Sequence, residues 1–145
     1  MKNKIIRHST FESNSSSTHS ISISSSVGTY DSLTPDSDGK IYLEGGEFGW
    51  GYEKHNDAYT KANYCAIDNW HNKERLEMLI KVLKEHTGAR EVVLNFSCDD
   101  YKDKNYSYID HQSVGTSEEA FESEEILKNF IFNPNSQLVI DNDNH

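Results

Sequence analysis

The stretch from Asn72 to Phe96 constrains the fold more than any other part of the chain. Leu76, Leu79, Ile80 and Leu83 recur at i, i+3, i+4 and i+7, a single stripe on a helix that starts at His71 or Asn72. Gly88 stands where a left-handed C-cap belongs. Glu91–Phe96 (EVVLNF) follows, β-branched and compact, and reads as the central strand of a sheet. The pair calls for a fold that mixes α and β.

The remaining segments fill in that class. Ile21 and Ile23 alternate with Ser20, Ser22 and Ser24, so Ser20–Ser25 reads as a half-buried strand, with the polar run before it as a tight turn. Lys40–Glu44, Asn105–Asp110 and Gln137–Ile140 read as further strands. Asp57–Trp70 fits a helix whose Ala58, Ala62, Cys65, Ala66 and Trp70 share a face. A third helix starts at Ser117 and carries Phe121, Ile126, Leu127 and Phe130. Strands and helices do not alternate regularly. We therefore expect one α+β domain over residues 1–145, a mostly antiparallel sheet packed with about three helices, and a short disordered tail at Asp141–His145.

Charge narrows the function classes. Fourteen Lys and Arg against 24 Asp and Glu give the 145 residues a formal charge of -10. Duplex nucleic acid held by phosphate neutralisation needs a basic face, and only Lys2, Lys4 and Arg7 cluster. An acidic surface suits a basic partner instead, including the nucleic-acid groove of another protein. Cys65 and Cys98 have no paired spacing and read as free thiols in a reducing cytosol. No run of about 20 apolar residues is present, so no membrane partner is expected, and the expected location is the cytoplasm.

Three segments could carry chemistry. Asn14, Ser15, Ser16 and Ser17 offer amide, hydroxyl and backbone N–H donors for an anion, and His19 adds a group that exchanges protons near neutral pH. In Phe48–Tyr52, glycines flank Trp50 and Tyr52, rings able to stack a base or to plug the core. Tyr108–Ser113 ends a strand with Asp110, His111, Gln112 and Ser113, where His111 could serve as acid or base. Lys61 joins the ligand-binding candidates as a cation. Both His8-Ser9-Thr10 and His111-Gln112-Ser113 match half of the paired 2H phosphoesterase pattern. Among seven histidines in so Ser/Thr-rich a chain, about one such match arises by chance, so the pattern carries no assignment. Asp99, Asp100, Asp103 and Asn105 lack the Gly and terminal Glu of a calcium loop and read as solvated charge; no metal or cofactor is called for.

The segments FESNSSSTHSISI, EFGWGYE, TKANY and YIDHQS together resemble a family of uncharacterised proteins found in bacteriophages and Firmicute genomes. Its members open with a basic stretch followed by F-E-T-N-S-S-S-S/T-H-S; Ser13 here replaces the usual Thr and keeps the hydroxyl. The likeness covers Arg7–Tyr64 and Tyr108–Ser113. It implies a phage or mobile-element setting without a mechanism, and a shared site at Asn14–His19. Two readings follow. The first is a phage counter-defence or host-takeover protein in the host cytoplasm. Its polar site takes a nucleotide or short nucleic acid, with phosphodiester hydrolysis or nucleotide transfer as the chemistry and His19 and His111 as catalytic groups. The second is a non-catalytic acidic inhibitor that binds a basic groove of a host protein.

Overall fold

The computed structural model describes residues 4–9, 17–26, 30–110 and 115–142. Its main sheet is antiparallel. Strands β1 (Lys4–Ser9), β2 (Ser17–Ile23), β8 (Gln137–Asn142) and β5 (Glu53–His55) lie in the order β1-β2-β8-β5. Two parallel pairs complete the strands: β3 (Lys40–Leu43) with β6 (Glu91–Leu94), and β4 (Glu47–Phe48) with β7 (Tyr108–Ile109). Helices α1 (Ala58–Asp68), α2 (Lys73–Thr87) and α3 (Glu124–Phe132) pack on these, so the fold is α+β with three helices. No described helix is long and apolar enough to cross a membrane.

Register explains which side of the sheet is buried. His19 pairs with Ile140, which pairs with Glu53, and Ile21 pairs with Leu138, which pairs with His55. Directly opposed residues share a face, and the period of two puts every second residue there. His19, Ile21, Ile23, Leu138 and Ile140 are all buried, so this is the face turned to the helices. The intervening serines of β2 fall on the other face, which is how a Ser-rich segment becomes an interior strand.

Helix α1 is enclosed rather than amphipathic. Every residue from Lys61 to Ile67 is buried, and Ala58, Ala62 and Ala66 let neighbouring elements approach closely. Its N-cap is Asp57, whose carboxylate accepts from Thr60 N at 2.8 Å. Helix α2 runs as expected, from an Asn72 cap that accepts from Arg75 N to Gly88 in the left-handed region at φ 80°. It buries Leu79, Val82 and Leu83.

Four expectations are corrected. Glu91–Leu94 is not the central strand: among the described residues it pairs with β3 alone, and the centre of the main sheet is β2 and β8. The acidic third helix does not start at Ser117. A 3-10 turn at Glu118–Glu122 is followed by extended Ser123, which caps α3 by accepting from Ile126 N at 3.1 Å. Ser117 is unavailable as a cap because its hydroxyl bonds Asp68 and Asn69. The strand at Asn105–Asp110 shortens to Tyr108–Ile109, with one bridge from Tyr106 to Ser97. Asp141 and Asn142 extend β8 rather than opening the tail, and 143–145 lie outside the described residues.

The β4–β7 pair depends on one glycine. Gly49 has φ 104°, and a Cβ there would stand 2.1 Å from the Asp110 carbonyl oxygen. Asp110 N donates to Phe48 O at 2.6 Å, so the two backbones meet at this point. A Gly49→Ala variant carries both a strained backbone and a clash against main chain. We expect a loss of about 3 kcal/mol, read from urea unfolding; a loss under about 0.5 kcal/mol would show that the contact can relax.

Candidate functional site

The hairpin β1–β2 ends with Ser9 opposite Thr18, so residues 10–16 connect the strands at that end of the sheet. β8 runs towards the same end, since Asn142 pairs with Ser17. β5 is antiparallel to β8 with Glu53 opposite Ile140, so the segment Gly49–Tyr52 enters β5 from this end too. Gly49 in turn abuts Asp110, the residue before His111. The described parts of the three sequence segments thus converge at one end of the molecule. Asn14, Ser15, Ser16, His111, Gln112 and Ser113 themselves lie outside the described residues, and Ser17 opens β2.

Beneath this end lies a buried polar pair. His19 is fully buried, and its Nδ1 is 3.0 Å from the Tyr64 hydroxyl on α1. Tyr64 is also bonded to the Thr116 hydroxyl. Burial pushes the Tyr64 phenol well above its ordinary range and the nearby Asp68 adds to this, while Thr116 draws it back only in part. The Tyr64 hydroxyl, itself fixed by Thr116, thus holds the His19 ring from its Nδ1 side. The sequence placed His19 at the end of a tight turn before the strand; the structure places it within β2, facing the core.

The ring wall divides in two. Phe48 is a core plug, edge-on to Tyr64 at 5.2 Å and to His55 at 5.8 Å. Trp50 and Tyr52 are surface rings, 64% and 66% exposed. The Glu53 carboxylate fastens their segment, accepting from Gly49 N at 2.9 Å through one oxygen and standing 2.9 Å from His55 Nε2 through the other. Glu53, His55 and Tyr64 were not among the sequence candidates. Only the period of two, extended into a strand with no aliphatic residue, would have found the first two.

Lys61 is corrected outright. It is fully buried, and its Nζ donates to the Asn133 and Ser136 carbonyls at 2.9 Å each, with the Phe130 ring centroid 5.5 Å away. Those carbonyls precede β8, at the end of the sheet opposite the hairpin connection. Lys61 braces the turn from α3 to β8 and does not reach the convergent segments.

The thiols offer no nucleophile. Burial pushes Cys65 far up, and burial together with Asp99 pushes Cys98 up to about 12. Asp100 and Asp103 spend carboxylate oxygens on the backbone N–H of Lys102 and Asn105, turning the acidic loop on itself. Among the described residues, no group of three His, Cys, Asp or Glu is positioned to hold a metal. Compared with protein-family models, curated proteins and solved structures, the chain has no match.

Burial lowers Lys61 to about 8, against 10.5 for an exposed lysine, with Cys65, Asp31 and Asp57 pulling the other way. Between these values the unfolded chain binds more protons than the folded one, so stability rises with pH across that window. The contribution is complete above 10.5 and lost as pH falls through 8, and amounts to about 3 kcal/mol. Measured against a Lys61→Met variant, the natural chain should gain that amount from pH 8 to 10.5 in urea titrations. A difference that stays flat would mean that water reaches the ammonium.

Proposed function

We propose that the chain is a phage-encoded counter-defence or host-takeover protein of the host cytoplasm, with a site for a phosphate-bearing nucleotide or short nucleic acid. The observation that supports this is the convergence at one sheet end of the hairpin connection, the Gly49–Tyr52 segment and Asp110, over the His19–Tyr64 pair. In this reading the Asn14–Ser17 run supplies anion donors and Trp50 or Tyr52 stacks a base. His19, its ring held by Tyr64, is the acid or base, with His111, Gln112 and Ser113 completing the far wall. Phosphodiester cleavage or nucleotide transfer is the chemistry such a set performs. The resemblance to phage proteins through the NSSSTH run supplies the biological setting.

The test is thermal unfolding with nucleotides, cyclic dinucleotides, NAD and short RNA. A site ligand at 100 times its Kd adds about 2.7 kcal/mol, which for a chain of this length is a rise in Tm of roughly 8–10 °C. A Tyr64→Phe variant should lose most of that rise, because it removes the hydroxyl that holds the His19 ring. No shift with any of these ligands at millimolar concentration sinks the reading.

A second reading draws on the surface. With a charge of -10 and exposed Glu44, Glu47, Glu118, Glu122, Glu124 and Glu125, the protein is suited to a basic groove of a host protein, bound without catalysis. Trp50 favours it specifically, since its Nε1 donates to the Tyr108 hydroxyl, which itself faces a Glu47 carboxylate oxygen at 3.5 Å.

A further inference from the structure

We propose that Trp50, Tyr108 and Tyr106, with the carboxylates of Glu47 and Glu44 alongside, form a ladder that docks an extended arginine-rich segment of a partner protein. The inference rests on the second reading above and gives it a surface and a ligand chemistry.

The rings touch in succession, Trp50 on Tyr108 and Tyr108 on Tyr106. Trp50 Nε1 donates to the Tyr108 hydroxyl at 3.0 Å, with the two rings perpendicular and their centroids 6.3 Å apart. Tyr106 stacks on Tyr108 at 5.7 Å with planes 28° apart. The Tyr108 hydroxyl is also 3.5 Å from a Glu47 oxygen. At the other end of the row the Glu44 carboxylate is pinned by the side-chain amides of Asn95 and Asn105, the residue beside Tyr106. Glu44 N donates to the Tyr59 hydroxyl, which brings in a further surface ring.

Three properties select the occupant. Fixed carboxylates beside π-faces attract cations and repel phosphates, which argues for a basic protein segment over a nucleic-acid strand. Guanidinium stacks on rings and forks onto carboxylates, so arginine fits better than lysine. Tyr106 and Tyr108 lie two residues apart on one segment, so an extended partner laid alongside repeats at a similar interval, roughly 6.6 Å between alternate side chains, with one arginine on the exposed Trp50 ring.

The experiment is fluorescence anisotropy of a labelled (Arg-Gly)5 decapeptide with the full chain, beside (Lys-Gly)5 and a ten-residue oligo-dT. The arginine peptide should bind with a micromolar Kd, at least threefold tighter than the lysine peptide, and oligo-dT should not displace it. Trp50→Ala should weaken binding at least tenfold, Trp50→Phe much less, and Glu47→Gln about threefold. Exposed Trp50 makes these variants fold normally, which Tm confirms. Equal binding of both peptides, or unchanged binding by Trp50→Ala, overturns the ladder while leaving an acidic surface that binds basic proteins. Displacement by oligo-dT overturns it in favour of a base-stacking platform. If neither peptide binds at low salt, both the ladder and the second reading fall.

Discussion

Everything in this fold depends on satisfying the polar groups of a helix that is buried all round along Lys61–Ile67. Helix α1 is buried along Lys61–Ile67, and each of its polar side chains reaches a different neighbour. Lys61 takes two carbonyls of the turn before β8. Asn63 accepts from Gly45 N at 2.8 Å, after β3, and donates to Tyr59 O. Tyr64 meets His19 on β2. At the helix end, Asp68 accepts from both Ser117 N and Ser117 Oγ, and Asn69 Nδ2 donates to Ser117 Oγ. An unmet buried donor costs about 1–3 kcal/mol and an unmet charge more, so these bonds select the arrangement of surrounding elements as firmly as apolar contact does. The main sheet and the two strand pairs are positioned by one helix.

This arrangement separates two chemistries a few residues apart in sequence. Phe48 points inward and joins the Tyr64–His19 interior, where low polarity holds a phenol in its neutral form. Trp50 points outward into a row of rings and carboxylates. Gly49 makes the division possible, because its left-handed backbone turns the chain between the two and lets Asp110 close in. A buried polar pair and an exposed group of rings thus share one strand end.

The sequence made the helices and the fold class legible because they rest on local periodicity and caps. Asn72, Leu79, Leu83 and Gly88 each carry their meaning within one or two turns. The isoleucines of β2 were legible for the same reason. What escaped depended on partners far away. β5 is Glu-Lys-His, a strand only because β8 lies beside it, and β4 is two residues held by β7. β6 has the composition of a central strand, but composition does not count neighbours. At the site, the rings of Phe48–Tyr52 were recognised as a group, yet their division into core and surface follows from Gly49. Lys61 was misread because an isolated lysine signals solvent or ligand, and only the tertiary fold supplies two carbonyls for its ammonium. His19 was singled out for its setting among serines, whereas Tyr64, the buried partner at its Nδ1, looked like one more helix ring.

The position of β8 has a consequence for how the protein forms. This strand is inserted between β2 and β5, and the bond from Ser24 N to Ser136 Oγ next to it closes a span of 112 positions. Until residues 137–142 dock, β2 has β1 as its sheet neighbour and presents an open hydrogen-bonding edge. Such an edge is a template for pairing with another chain. Closure over so long a loop is also slow compared with forming α2 or the β1–β2 hairpin. During synthesis the nascent chain therefore carries an open half-sheet until residues 137–142 emerge, and a ribosome that stalls before β8 leaves a product inclined to aggregate.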